Sequence, residues 1–167
     1  MAYATTCCTV VALDKNGAPL RPALMWMDVR ADKEAEAVLE TGDQRLILNG
    51  NGQGPVSAEW MIPKALWLKR NEPRIFDDAV TICEYQDYLT MRLTGERCAS
   101  LNNVGLRWHY ANRDGGWANG IIEKLGIPEL MEKWPSRVAA PGEVIGNLSD
   151  TAAAELNLST RTKLVQG

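Results

Sequence analysis

The sequence predicts a soluble α/β domain, on three observations. A β-branched run, Cys8-Thr9-Val10-Val11-Ala12-Leu13-Asp14, reads as a strand near the start of the chain. The stretch Ser57 to Asn71 carries a helical period, and beyond it short strand-like runs alternate with helical ones as far as Gly167. With 167 residues and 46% apolar content, the chain suits one domain, or a large part of one, with a real core.

Lys15-Asn16-Gly17 is a turn signal between the first strand and Leu20 to Met27, and so predicts a hairpin. Asp28 follows the strand-like Ala23 to Met27 and precedes Val29 to Leu39, where Glu and Lys alternate with Ala; it reads as the N-cap of a helix, with Arg30 solvated in the first turn. A second reading puts Asp28 and Arg30 on the rim of a sugar site, where a carboxylate and a guanidinium fix hydroxyl groups. Asn49 to Pro55 is glycine-rich but lacks the GxxxxGK spacing of a phosphate loop, which predicts an ordinary loop.

Within Ser57 to Asn71, a helical wheel aligns Trp60, Lys64, Trp67 and Asn71 in one stripe, with Met61, Ala65 and Leu68 beside it and Ile62 and Leu66 opposite. Apolar residues thus cover most of the circumference, which predicts a helix packed on more than one side. Ser57 suits an N-cap, and Pro73 ends the helix near Asn71. Pro63 either bends a helix that starts at Ser57 or marks a start near itself, leaving Trp60 in the entry loop. In both cases Glu59 and Trp60 border irregular backbone, where free polar groups face a ligand.

Pro73 to Asp78 reads as a short helix, Val80 to Cys83 as a buried strand, and Tyr85 to Leu93 as a helix closed by Gly95. Leu101 to Tyr110 reads as a loop entering a strand, and Gly115-Gly116-Trp117 as a turn. Ile121 to Leu125, closed by Gly126, and a segment from Pro128 toward Lys133 read as helices. Val144 to Gly146 and Lys163 to Val165 are strand-like, on either side of an alanine-rich helix capped by Ser149 or Asp150.

A net charge of −3 with interspersed signs excludes a broad cationic field, so no nucleic acid or anionic membrane is expected as a partner. No apolar run approaches the roughly 20 residues of a membrane span, and no secretory signal opens the chain, so a cytoplasmic location is expected. Cys7, Cys8, Cys83 and Cys98 lack metal-binding spacing and are expected to be reduced, while His109 is the single histidine; no metal site is predicted. Six tryptophans suggest an aromatic face for a sugar, though tryptophan also fills cores. The parts needed for phosphoryl transfer are not identifiable from the residues alone.

The runs Glu59-Trp60-Met61-Ile62-Pro63-Lys64, Leu24-Met25-Trp26-Met27-Asp28-Val29-Arg30-Ala31, Glu84-Tyr85-Gln86-Asp87-Tyr88-Leu89, Leu93-Thr94-Gly95, Arg107-Trp108, Gly126-Ile127-Pro128 and Pro141-Gly142 occur in one order. In this order the chain resembles the FGGY family of carbohydrate kinases, from about Thr9 to Gly167, with the ribulokinases, D-ribulokinase above all, as the nearest branch. The resemblance implies a partial ribonuclease H-like lobe of the actin and hexokinase type with inserted helices. It makes residues 1–167 part of an N-terminal sugar-binding domain, with the nucleotide-binding domain absent. It also implies that the intact protein transfers the γ-phosphate of ATP, with Mg, to a terminal hydroxyl of a pentulose. L-ribulose and xylulose are alternative substrates, and an inert sugar-binding or scaffolding remnant is the non-catalytic alternative. By position, Trp60 matches an aromatic residue that lies against the sugar, and Arg107 replaces a lysine that reaches it; Asp28, Arg30, Glu59 and Lys64 lie in matched motifs. Asp87 is assigned to helix capping. The family's phosphate loop and catalytic aspartate have no counterpart in this chain, so neither nucleotide nor metal is expected to bind it alone; a homodimer is admitted for the intact protein. Near Thr5 to Cys8 the family places further substrate contacts, but Met1-Ala2-Tyr3-Ala4 departs from its pattern and nothing is carried over there.

Overall fold

The computed structural model describes residues 1–49 and 56–167, so the glycine-rich run predicted as a loop lies, from residue 50 on, outside the described residues. Strand β1 (Val10–Leu13) is followed by α1 (Asp32–Glu40), a 3-10 turn (Gln44–Asn49), α2 (Met61–Asn71), α3 (Pro73–Asp78), β2 (Thr81–Glu84) and α4 (Tyr85–Thr94). Then come β3 (Cys98–Ser100), α5 (Leu101–Arg107), α6 (Asn119–Lys124), α7 (Leu130–Lys133), β4 (Arg137–Ala139), β5 (Val144–Asn147), α8 (Asp150–Leu156) and β6 (Lys163–Val165). The strands pair as β1 with β2 antiparallel, β3 with β4 parallel, and β5 with β6 antiparallel. The predicted α/β class is therefore the observed one.

Helix α2 lies in the main core, where Met61, Ile62, Ala65, Leu66 and Leu68 are buried with Val10, Phe76, Ile82 and Trp108. Each fully buried aliphatic chain there contributes about 2 kcal/mol relative to exposure, which is why the helix is apolar nearly all round. It begins at Met61, with Trp60 as the flanking residue, so Pro63 falls in the first turn. A missing N–H costs nothing there, because the first amides of a helix have no partner within it. Of the two sequence alternatives, the later start is the one realised.

Five expectations need correction. Ser57 does not cap α2, whose flanking residue is Trp60; its hydroxyl oxygen instead accepts from the Glu59 amide at 3.2 Å. The predicted hairpin persists only as single bridges, Val10 to Leu24 and Leu13 to Pro19, while the regular partner of β1 is β2, from Val10 opposite Glu84 to Leu13 opposite Thr81. Pro19 and Pro22 lack the amide donors that a full ladder requires. Asp28 does not cap the next helix, because α1 starts at Asp32; its carboxylate instead accepts from the Arg30 backbone at 3.1 Å. Leu101 to Arg107 is a helix rather than a strand, since Leu101, Val104 and Trp108 recur at three- and four-residue spacing, with Val104 and Trp108 fully buried. Finally, β3 and β4 were not expected; three residues each are too few to show a period.

Candidate functional site: an aromatic and cationic hollow

The site is assembled where the approach to β1, the start of α2 and the end of α5 meet. Lys64, in the first turns of α2, is fully buried, and its Nζ donates to the carbonyl of Cys8 at 2.7 Å and to that of Met25 at 2.7 Å. Burial lowers the pKa of this ammonium, against the opposing pull of nearby acidic groups. At the end of β2, the fully buried Glu84 accepts the Cys8 amide at 2.9 Å and the Trp108 indole N–H at 2.8 Å. Burial raises the Glu84 pKa, while these two donors act to lower it. The Cys8 amide and carbonyl are thus each held by a buried side chain, and Cys8 is fixed in the left-handed region at φ 65°. Asp87 completes the support as predicted. It accepts from the Glu84 amide at 3.0 Å and the Ser100 amide at 3.1 Å, and burial holds its carboxyl well above the ordinary range.

Over this support lies a hollow of about 390 Å³ lined by Thr5, Thr6, Cys7, Cys8, Trp26, Glu59 and Arg107. The Arg107 guanidinium stands 5.4 Å from the centroid of the Trp60 ring, within cation–π range. Trp60 is only 8% exposed, so the ring backs the hollow rather than projecting into it. His109 meets the Trp60 ring edge-on at 5.5 Å. His109 is 1% exposed at φ 56°, neither ring nitrogen has a hydrogen-bond partner, and burial depresses its pKa, which favours the neutral imidazole. Its loop is tied down by Arg45, which donates to the carbonyls of Gly116 at 2.6 Å, His109 at 3.4 Å and Asp114. Other hollows, of about 430 Å³ beside Ala37 and Lys124 and about 440 Å³ beside Arg45 and Ile47, have no aromatic side chain among their lining residues.

Of the residues singled out from sequence, Trp60, Glu59 and Arg107 are brought together. Lys64 lies beneath them, occupied by carbonyls. Asp28 and Arg30 form their own ion pair at 2.8 Å, with Arg30 stacked 4.9 Å from the Trp67 centroid, and neither lines the hollow. The hydrogen bonds from Arg30 lower the Asp28 pKa. Sequence reasoning passed over Trp26 as a lining residue, although an aromatic two residues before Asp28 in a matched motif was a usable signal; the residue is 44% exposed. Thr5 to Cys8 lie where the family places further substrate contacts, but the departure of Met1 to Ala4 from its pattern kept them from being carried over, and nothing in their own pattern marks the bend at Cys8.

No helix of the described residues is long and apolar enough to cross a membrane. Residues 1–167 match the family model described as the FGGY family of carbohydrate kinases, N-terminal domain. The chain is 32% identical over 166 residues to an FGGY carbohydrate kinase domain-containing protein of Xenopus laevis, covering 90% of this chain and 30% of that protein. It is 32% identical over 160 residues to a D-ribulokinase of Saccharomyces cerevisiae, covering 86% and 22% respectively. The crystal structure of xylulose kinase from Rhodospirillum rubrum superposes with a TM-score of 0.75 at 30% identity, over 95% of this chain and 32% of that one. The chain therefore spans about 30% of the length of the first of these relatives.

Proposed function

The chain belongs to the FGGY family of carbohydrate kinases, and from that premise we propose that residues 1–167 are part of the sugar-binding domain of a cytoplasmic ATP-dependent pentulose kinase, with D-ribulose as the preferred sugar. The observation that carries this reading is the Arg107 guanidinium over Trp60 at 5.4 Å, beside a hollow that also contains Glu59 and Trp26. A pentulose presents C–H faces and hydroxyl groups together. The exposed indole of Trp26, with that of Trp60 as the backing of the hollow, takes the former, the Glu59 carboxylate accepts from hydroxyl groups, and the Arg107 guanidinium donates to hydroxyl or carbonyl oxygens. Lys64 and Glu84 position the wall from below and do not touch the sugar. Asp28 and Arg30 serve as an outer rim.

In this reading ATP, with Mg, supplies the γ-phosphoryl group, which is attacked by a terminal pentulose hydroxyl as an aspartate takes its proton. That aspartate and the nucleotide-binding domain belong to residues outside this chain. Among the described residues no group of three or more His, Cys, Asp or Glu side chains is arranged to hold a metal. The task of these residues is to hold the acceptor hydroxyl in one orientation. Xylulose is the second reading, favoured by the likeness to a xylulose kinase at 30% identity.

The test is phosphorylation of D-ribulose, L-ribulose, D-xylulose and glycerol by the full-length protein with MgATP. D-ribulose is expected to give the highest kcat/KM, and Trp60→Ala to raise its KM by about 5- to 30-fold, corresponding to about 1–2 kcal/mol. Absence of turnover on every pentulose overturns the reading, and an unchanged KM removes Trp60 from the site.

A further inference from the structure

Consecutive side chains of an extended chain point to opposite faces, so adjacent cysteines ordinarily keep their sulfurs apart. Cys7 and Cys8 do not: their Sγ atoms are 3.6 Å apart. The cause is the left-handed backbone at Cys8, φ 65°, a conformation few non-glycine residues adopt. It is held in place by the Glu84 carboxylate on the Cys8 amide at 2.9 Å and the Lys64 ammonium on the Cys8 carbonyl at 2.7 Å. Both cysteines line the hollow, Cys7 half-buried and Cys8 buried, whereas Cys83 and Cys98 are buried elsewhere.

We propose that Cys7 and Cys8 form a redox-closable pair in the wall of the hollow, that a hydroperoxide closes it to a disulfide, and that closure weakens sugar binding. The last clause rests on the function proposed above. In the first step the Cys7 thiolate attacks one peroxide oxygen. The O–O bond breaks, Cys7 becomes a sulfenic acid, and the other oxygen leaves as water or alcohol after taking a proton. Cys8 Sγ then attacks Cys7 Sγ, and the displaced hydroxide leaves as water with the Cys8 proton. Two thiols lose two electrons and the peroxide gains them. Burial, aided by the neighbouring Glu84, pushes the Cys8 thiol up to about 12, which assigns the first attack to Cys7.

Adjacent Cα atoms are about 3.8 Å apart, below the roughly 4.4–6.8 Å usual across a disulfide, so the closed ring is strained and readily reduced by thiols. Closing it turns the peptide that joins the two residues. That peptide carries the amide held by Glu84, so the wall loosens on the side facing the sugar.

The full-length protein is treated with hydrogen peroxide, its free thiols are alkylated, and the tryptic peptide that contains Cys7 and Cys8 and ends at Lys15 is analysed by mass spectrometry. The expected result is a peptide lacking two hydrogens and unalkylated at both cysteines, restored by dithiothreitol and absent in Cys7→Ser. D-ribulose binding, measured by calorimetry on both forms, is expected to weaken at least about tenfold on closure and to recover on reduction. Alkylation of both cysteines after peroxide, or a Cys7 sulfinic acid beside an alkylated Cys8, overturns the proposal. So does a closed form that binds as tightly as the reduced one. If the reduced protein binds no pentulose, the sugar reading fails and the claim about binding falls with it, while the peptide mapping still decides separately whether the pair closes.

Discussion

The indole N–H of Trp108 donates to the buried carboxylate of Glu84 at 2.8 Å, joining the aromatic core to the floor of the hollow. On its other sides Trp108 packs against Trp134 at 5.2 Å and Trp117 at 5.8 Å between centroids. The second Glu84 oxygen serves Cys8, so one side chain satisfies donors from two parts of the chain.

Replacing Glu84 by Ala strands both donors away from water. A loss of about 2–4 kcal/mol in urea-unfolding stability is expected, with a smaller loss for Glu84→Gln, which keeps one acceptor oxygen. Equal stability of the Ala variant and the native protein would contradict the assignment.

Lys64→Met keeps the apolar stem and removes the ammonium that the Cys8 and Met25 carbonyls share. The expected cost is again about 2–4 kcal/mol, because buried carbonyls lose their donor. Calorimetry separates this role from sugar contact: a residue that touches sugar would weaken binding while leaving the unfolding midpoint in place.

Arg107→Lys retains the charge but loses the flat guanidinium that lies over Trp60. A rise of about 2- to 5-fold in the KM for D-ribulose is expected, from about 0.5–1 kcal/mol of lost stacking, with a larger rise for Arg107→Ala. Steady-state kinetics showing native values for both variants would place Arg107 outside the site.

His109 makes the fold sensitive to acid. Its buried imidazole has a pKa below the ordinary 6.5, so between those two values the unfolded chain holds the extra proton and stability rises with pH. The contribution is complete above about 6.5 and is lost as the pH falls through the depressed value. Glu84 and Asp87, both raised by burial, act in the opposite sense: their share is complete below the ordinary carboxylate range and is lost as pH rises through their folded values. Comparing Tm against pH for the native protein and His109→Asn, whose side chain tolerates a positive φ, isolates the histidine. The native Tm is expected to fall more steeply on acidification.

Much of the framework was legible because punctuation residues act locally. Pro63 and Pro73 bracket α2, Gly95 ends α4 at φ 80°, and Ser149 caps α8 by accepting from the Ala152 amide at 3.2 Å. The site was only half legible. A lysine on a helical stripe reads as solvated or ligand-facing, and only the packing of β1 and the Met25 turn over α2 shows that Lys64 feeds two carbonyls. Arg30 likewise reads as a first-turn residue until Trp67 is found beneath it. The tryptophans divide by role in a way composition cannot show, with Trp108, Trp117 and Trp134 in mutual contact and Trp26 and Trp60 at the hollow.

Arg45 never reaches the hollow, yet its guanidinium clasps three carbonyls of the stretch that begins at His109. That stretch is therefore pinned to the 3-10 turn, and the imidazole is held edge-on to the Trp60 ring at 5.5 Å. A distant arginine is thus the keystone of the loop whose histidine meets the Trp60 ring.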